Sequence, residues 1–180
     1  MNTTANKITI FRVLMIPVFL VLAYTGHRYW ALAVFVLASL SDMLDGYIAR
    51  HYNQVTNFGK FMDPLADKVL VMAAMCYFVE AGRMPGWALA VVLLREFGVS
   101  GLRLIAVEQG RVIAAAKSGK IKTAATMVCL CLMLFFPAPS LGDSAPDFIA
   151  AISTAVILLT TVYSCAEYFY KNRDVFKDSK

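Results

Sequence analysis

Six long apolar runs organise this chain, at roughly residues 8–25, 29–50, 60–81, 86–107, 120–137 and 147–170. A helix that crosses a bilayer needs about 20 largely apolar residues, and each run comes close to that length. Turn chemistry separates them: Thr25-Gly26-His27, then Gly82-Arg83-Met84-Pro85-Gly86, then the stretch from Pro137 to Pro146. Hydrophobic residues make up 59% of the sequence and charged ones 16%. A soluble domain carries about a quarter charged residues and is just under half apolar. The expected fold is therefore an all-α integral membrane protein, a single domain over residues 1–180 with six transmembrane helices. The first run leads into a chain that re-enters the membrane repeatedly, so no cleavable signal peptide is expected.

The distribution of basic residues orients such a bundle. Of 17 Lys and Arg, only Arg28 and Arg83 fall beside the turns after the first and third runs, and Arg95 is embedded in the fourth. The rest gather at the opposite side, which the positive-inside rule makes cytoplasmic, together with both termini. The net charge of +5 suits a chain facing anionic lipid, and no nucleic-acid motif is present. Cys76, Cys129, Cys131 and Cys165 lie inside apolar runs without zinc-site spacing and are expected to be reduced packing residues.

Against this apolar background, residues 41–68, SDMLDGYIARHYNQVTNFGKFMDPLADK, hold four of the chain's twelve acidic residues. Asp42 and Asp45 are three positions apart, and Asp63 and Asp67 four apart, so each pair shares one face of a helix. Two antiparallel helices joined by a short link would aim all four carboxylates at one point, at the cytoplasmic edge. Four gathered negative charges repel one another unless protons or cations relieve them. Hard carboxylate oxygens suit Mg²⁺ or Mn²⁺ rather than zinc, and four of them are enough to hold two ions that clamp a diphosphate. Gly46 and Ala49, with Gly59 expected to open the third helix, would admit a ligand close to the backbone. Arg50 adds a planar cation suited to phosphate or a base edge.

Written out, the segment is D-x-x-D-G-x-x-A-R, eight residues, then G-x-x-x-D-x-x-x-D. It resembles the signature of the CDP-alcohol phosphotransferases, membrane enzymes of phospholipid synthesis, with every fixed position present. The resemblance implies the six-helix fold of that family and a pair of Mg²⁺ or Mn²⁺ ions held by Asp42, Asp45, Asp63 and Asp67. It implies CDP seated on Asp42, Gly46, Ala49, Arg50, Gly59 and Asp63, Asp67 as general base, and a homodimer. NKITIFRVLMIP near the start, REFGVSGLRL at 95–104, GKIKT at 119–123 and EYFYKNRDVF at 167–176 resemble the bacterial branch that makes phosphatidylglycerophosphate. That branch joins CDP-diacylglycerol to glycerol 3-phosphate and releases CMP, which implies a multi-pass protein of the bacterial cytoplasmic membrane with its active site facing the cytoplasm.

An anionic acceptor fits the residues as well. Arg103, Lys117, Lys120 and Lys122 cluster at the cytoplasmic ends of the fourth and fifth runs, where they are expected to hold the acceptor phosphate. Gly119 is expected to give a flexible approach, with Lys120 and Lys122 bracketing a helix start. The positive-inside rule alone also fills such positions with basic residues. Near the N-terminus Asn6, Thr9 and Arg12 share one face; they either meet the diphosphate and headgroup or begin an interfacial segment anchored to lipid phosphates. Pro17 is expected to bend the first helix.

Other features are expected to be structural. Arg95 and Glu96 are adjacent on a helix and diverge by about 100°, so separate partners are expected. Trp30, Trp87 and Tyr168 fit interfacial belts, and Phe11, Phe19, Phe35, Phe135 and Phe136 face lipid or core. His27 falls on the outer side, His51 in the cytoplasmic loop, and Glu80 and Glu108 at exposed helix ends. Ala73, Ala74, Gly98 and Gly101 permit close helix approach, between chains or within one. Three rival functions remain open: a sister transferase using inositol phosphate or serine, a magnesium-dependent membrane prenyltransferase, and a cation or proton transporter.

Overall fold

The computed structural model describes residues 4–51, 57–108, 110, 113, 116–138 and 147–173; the side chains of residues 4–9, 42–51, 57–65 and 67 are not among those described. The described residues form six helices and no strand: α1 (Thr4–Tyr24), α2 (Arg28–His51), α3 (Asn57–Glu80), α4 (Gly86–Glu108), α5 (Lys117–Phe135) and α6 (Phe148–Lys171). Each helix coincides with one apolar run. The differences lie at the N-terminal ends, where polar residues extend α1, α3 and α5 by about a turn beyond the apolar boundary. Hydropathy marks where a helix is greasy, and the hydrogen-bonded backbone runs on past that point.

Glycine sets two of the helix ends. Gly26 and Gly82 follow α1 and α3 with φ of 81° and 69°, the left-handed conformation that ends a helix and that a Cβ would strain. At the other end of a helix, Asp147 caps α6 by accepting from the Ala150 amide at 3.0 Å. Pro17 is accommodated inside α1, which continues through it.

The chain divides into two compact units: Met1–Ala81 with Cys131–Pro137, and Gly82–Leu130 with Ala138–Lys180. In the first, α1 packs on both α2 and α3. Phe19 and Phe35 are fully buried with ring centroids 5.6 Å apart, and Leu70, Ala74, Met75 and Phe78 fill the α3 side. Tyr24 closes this unit by donating to Glu80 and stacking edge-on against Tyr77 at 5.3 Å. In the second, α4 packs on α6. Its buried face on α6 is Ala150, Ser153, Thr154, Ile157, Thr161, Ser164 and Tyr168, a three-and-four repeat. Small hydroxyl residues on that face let helices approach closely, and Ser164 accepts from Arg95 Nη2 of α4 at 2.7 Å.

Among the described residues two helices, α5 and α6, are long and apolar enough to cross a membrane, and Ile10–Tyr24 and Arg28–Ser41 are shorter apolar stretches. The 23 residues of α4 span about 35 Å, but they carry Arg95, Glu96 and Arg103. Large apolar side chains of the second unit are exposed: Leu94, Phe97 and Leu159 are 76%, 72% and 71% exposed.

Several expectations need correcting. Tyr168 is 2% exposed and belongs to the core with Val99, Leu102 and Ala106, so it is no interfacial belt residue; its hydroxyl is satisfied inside. Trp30 and Trp87 are exposed. Gly119 is not a flexible approach, because the helix already begins at Lys117. Cys76 is exposed rather than packed, while all four cysteines are free. Ala74 and Gly98 are used inside the chain, where a Cβ on Gly98 would lie 3.6 Å from the Phe169 ring, whereas Gly101 is open.

Candidate active site

The aspartate signature lies on the ends of two successive helices. Asp42 and Asp45 are in the second half of α2, and Asp63 and Asp67 in the first half of α3. Both pairs stand on helical backbone, so positions 42 and 45 share one side of α2 and positions 63 and 67 one side of α3. Gly46, Ala49 and Arg50 follow on α2, His51 closes it, and Gly59 falls in the first turn of α3 rather than opening it. The side chains of this set, and of Asn6 and Thr9, lie outside those described. Among the described residues no group of three or more His, Cys, Asp or Glu comes together.

Arg12 is described, and it is fully buried. Its Nε donates to Ser41 Oγ at 3.4 Å, and Ser41 in turn donates to the Ala38 carbonyl at 2.7 Å. Arg12 therefore does not reach out to lipid phosphates. It holds α1 against α2 one residue before Asp42.

The basic set expected to meet an acceptor separates into two kinds. Lys117 and Lys120 are exposed on the first turn of α5, three positions apart and on one side. Arg103 also reaches the surface. Its Nε donates to Tyr168 Oη at 2.9 Å, with the guanidinium 5.6 Å from the ring centroid, a hydrogen bond and cation–π contact that fix its direction. Lys122 is different: it is 4% exposed, and its ammonium bonds Glu96 Oε1 at 2.8 Å.

Glu96 is the centre of a buried polar knot. The same Oε1 accepts from Arg95 Nη1 at 2.8 Å, and Arg95 Nη2 donates to Ser164 Oγ at 2.7 Å. Arg95 and Glu96 thus pair with each other as well as with separate partners, because a long guanidinium can fold back across the 100° that divides their stems. A Cβ on Gly119 would lie 3.4 Å from Arg95 Nη2 and 3.9 Å from Ser164 Oγ. That glycine leaves room for the guanidinium to cross from α4 to α6. Ser164 and the spatial role of Gly119 were not singled out by sequence reasoning. Their signal is the three-and-four repeat of small hydroxyl residues on α6 and a glycine three residues before Lys122.

Residues 2–166 match the family model described as CDP-alcohol phosphatidyltransferase. A protein of Bacillus subtilis named CDP-diacylglycerol–glycerol-3-phosphate 3-phosphatidyltransferase is 40% identical, over 97% of this chain and 97% of its own. One from Escherichia coli with the same name is 40% identical over 72% of this chain and 75% of its own. A probable phosphatidylglycerophosphate synthase of Mycobacterium tuberculosis is 38% identical over 88% of this chain and 76% of its own. A match over nearly the whole chain, with the aspartate signature intact on α2 and α3, shows that the chain belongs to the CDP-alcohol phosphatidyltransferase family.

Proposed function

We infer that the chain transfers the phosphatidyl group of CDP-diacylglycerol to glycerol 3-phosphate, giving phosphatidylglycerophosphate and CMP. The observation that carries this is the similarity to the Bacillus subtilis transferase over 97% of both chains. The basic set on α4 and α5 supports an anionic acceptor. Serine or an uncharged alcohol would leave Lys117 and Lys120 without a counter-charge.

All six helices span the bacterial cytoplasmic membrane in this reading, with the signature at the cytoplasmic edge and the exposed apolar faces in lipid. CDP-diacylglycerol enters from the inner leaflet and keeps its acyl chains among the membrane lipids. Gly46, Ala49, Arg50 and Gly59, with Asp42 and Asp63, seat the nucleotide diphosphate, and Asn6, Thr9 and Arg12 lie toward the headgroup. The four aspartates offer only hard oxygen donors on two helix faces, which fits two Mg²⁺ or Mn²⁺ ions. Such ions, when bound, neutralise the diphosphate and stabilise the departing CMP. Arg103, Lys117 and Lys120 hold the acceptor phosphate. Asp67 takes the proton from the primary hydroxyl, whose oxygen attacks the lipid-linked phosphorus in line while the bond to CMP breaks. Positioning supplies most of the acceleration in such transfers. Two chains associate as a homodimer through their membrane helices, with Gly101 open for a close approach.

The test is acceptor competition. Purified protein receives CDP-diacylglycerol with labelled glycerol 3-phosphate, inositol phosphate or serine, and CMP release is followed. Labelled phosphatidylglycerophosphate is expected. Preferential labelling from inositol phosphate or serine moves the chain to a sister activity, and absence of any CMP release overturns the reading altogether.

A further inference from the structure

The buried knot around Glu96 bears on acceptor recognition. Two cations, Arg95 and Lys122, rest on one carboxylate oxygen at 2.8 Å each. The side chains of Arg95, Glu96 and Lys122 are 10%, 13% and 5% exposed. Cations this deep require a compensating charge held in place, because the surrounding protein and lipid solvate them poorly. Among the described residues Lys122 forms its ion pair with Glu96 alone, so the position of the lysine is set by that carboxylate.

The location of Lys122 on α5 gives the pairing its consequence. Ser118, Lys122 and Thr126 are buried on one side of α5, at 6%, 4% and 1% exposure, and follow one another at i,i+4 spacing. Lys117 and Lys120 lie on the exposed side of the same first turns. The inward lysine and the outward lysines are therefore rigidly linked by helical backbone. The Glu96–Lys122 bond ties α5 to α4 within one helical turn of Lys120, and it adjoins Gly119, over which the Arg95 guanidinium crosses to Ser164. Arg103, on α4, is aimed from the same helix that carries Glu96.

We propose that Glu96 and Lys122 are a positioning pair for the acceptor phosphate: they fix the start of α5 against α4, so that Lys117 and Lys120 stand in register with Arg103. Lys122 then acts as an internal strut and does not touch the acceptor. This deepens the transferase reading and rests on it.

A double-mutant cycle tests the pair in the full-length protein in detergent–lipid micelles. Glu96→Gln keeps the volume and removes the charge; Lys122→Met keeps most of the stem and removes the ammonium. Each single variant is expected to raise KM for glycerol 3-phosphate about tenfold or more, the effect of losing a charged hydrogen bond. KM for CDP-diacylglycerol is expected to stay within about twofold of the parent. The double variant is expected to be no worse than the poorer single one, since the two residues act as a unit. If Lys122 instead binds phosphate directly, Lys122→Met loses far more than Glu96→Gln and the two losses add, which overturns the proposal. Equal rises in both KM values, or none, also overturn it, because a general loosening of the fold does not select one substrate.

Where Glu96→Gln does not fold, Glu96→Asp provides a milder perturbation by shortening the stem and drawing the carboxylate back from Arg95 and Lys122, each 2.8 Å away in the parent. The same selective rise in KM for glycerol 3-phosphate is expected, at about two- to fivefold. An unchanged KM in that folded variant counts against the strut. Turnover of glycerol 3-phosphate by the parent protein keeps the two readings apart: without it the transferase assignment falls, and with it only the positioning role is at stake.

Discussion

Arg83, on the turn before α4, donates from Nε to Asp147 Oδ2 at 2.5 Å, while the other carboxylate oxygen of Asp147 caps α6. One aspartate thus starts a helix and anchors the turn before α4. Burial by itself pushes the Asp147 carboxyl up, but the Arg83 hydrogen bond, the Ala150 amide and the Arg83 charge together outweigh it and hold the carboxyl below its ordinary value.

A carboxyl depressed in the folded state stabilises the fold above the ordinary carboxylate range and loses that contribution as pH falls through the folded value. Asp147→Asn can still cap the helix but offers Arg83 no charge. At about pH 7 the variant is expected to be about 1–2 kcal/mol less stable than the parent, with the gap closing below about pH 4. Thermal unfolding of both proteins in micelles across that range measures it. A gap of constant size at all pH values would show that the Arg83 contact contributes nothing through charge.

Tyr168→Phe removes the hydroxyl that accepts from Arg103 Nε and leaves the ring under the guanidinium. The core around Val99, Leu102 and Ala106 keeps its packing, so the expected loss of stability is about 1 kcal/mol. Arg103 loses its fixed direction, and KM for glycerol 3-phosphate is expected to rise about threefold, with a larger rise, about tenfold, for Arg103→Ala. Kinetics with glycerol 3-phosphate varied at saturating CDP-diacylglycerol give both values. Equal effects of the two variants on both substrates would remove Arg103 from the acceptor site.

The helices were legible in the sequence because apolar length is a property of single segments, and each run became one helix. Partnership between segments was not legible. Lys122 reads from the sequence as one more cytoplasmic cation, and only its neighbours across α4 distinguish it from Lys120. Tyr168 has the composition of a belt residue, yet its place on the three-and-four repeat of α6 turns it inward. Gly119 looks like a hinge in the string GKIKT, and its actual constraint is a guanidinium 3.4 Å from the Cβ it lacks. The aspartate signature is the reverse case: its spacing is fully written in the sequence, and its side chains lie outside those described.

The orientation of the chain follows from charge and can be read chemically. In a background with all four native cysteines replaced, a single cysteine at His27 is expected to react with an impermeant thiol reagent added outside spheroplasts. One at Ser179 is expected to react only after the membrane is opened. Both labels appearing on the same side would exclude an odd number of spans between them, and with it the five that the six-span reading places there.

Asp67 carries the sharpest chemical prediction. A carboxylate beside bound dications has its basicity lowered, so a metal ligand and a general base make different demands on one residue. Asp67→Asn retains size and oxygen donor but cannot accept the hydroxyl proton. Turnover is expected to fall by about 10²–10⁴, the usual contribution of a positioned base, while the protein stays folded and still binds CDP-diacylglycerol. Asp42→Asn, by contrast, is expected to weaken binding of the nucleotide lipid itself. Chelation by EDTA is expected to stop CMP release in the parent, and added Mg²⁺ or Mn²⁺ to restore it. Single-turnover CMP release, paired with equilibrium binding of the CDP-lipid, separates the two roles. CMP release from Asp67→Asn at the parent's rate removes the base assignment, and loss of CDP-lipid binding in that variant makes Asp67 a ligand first.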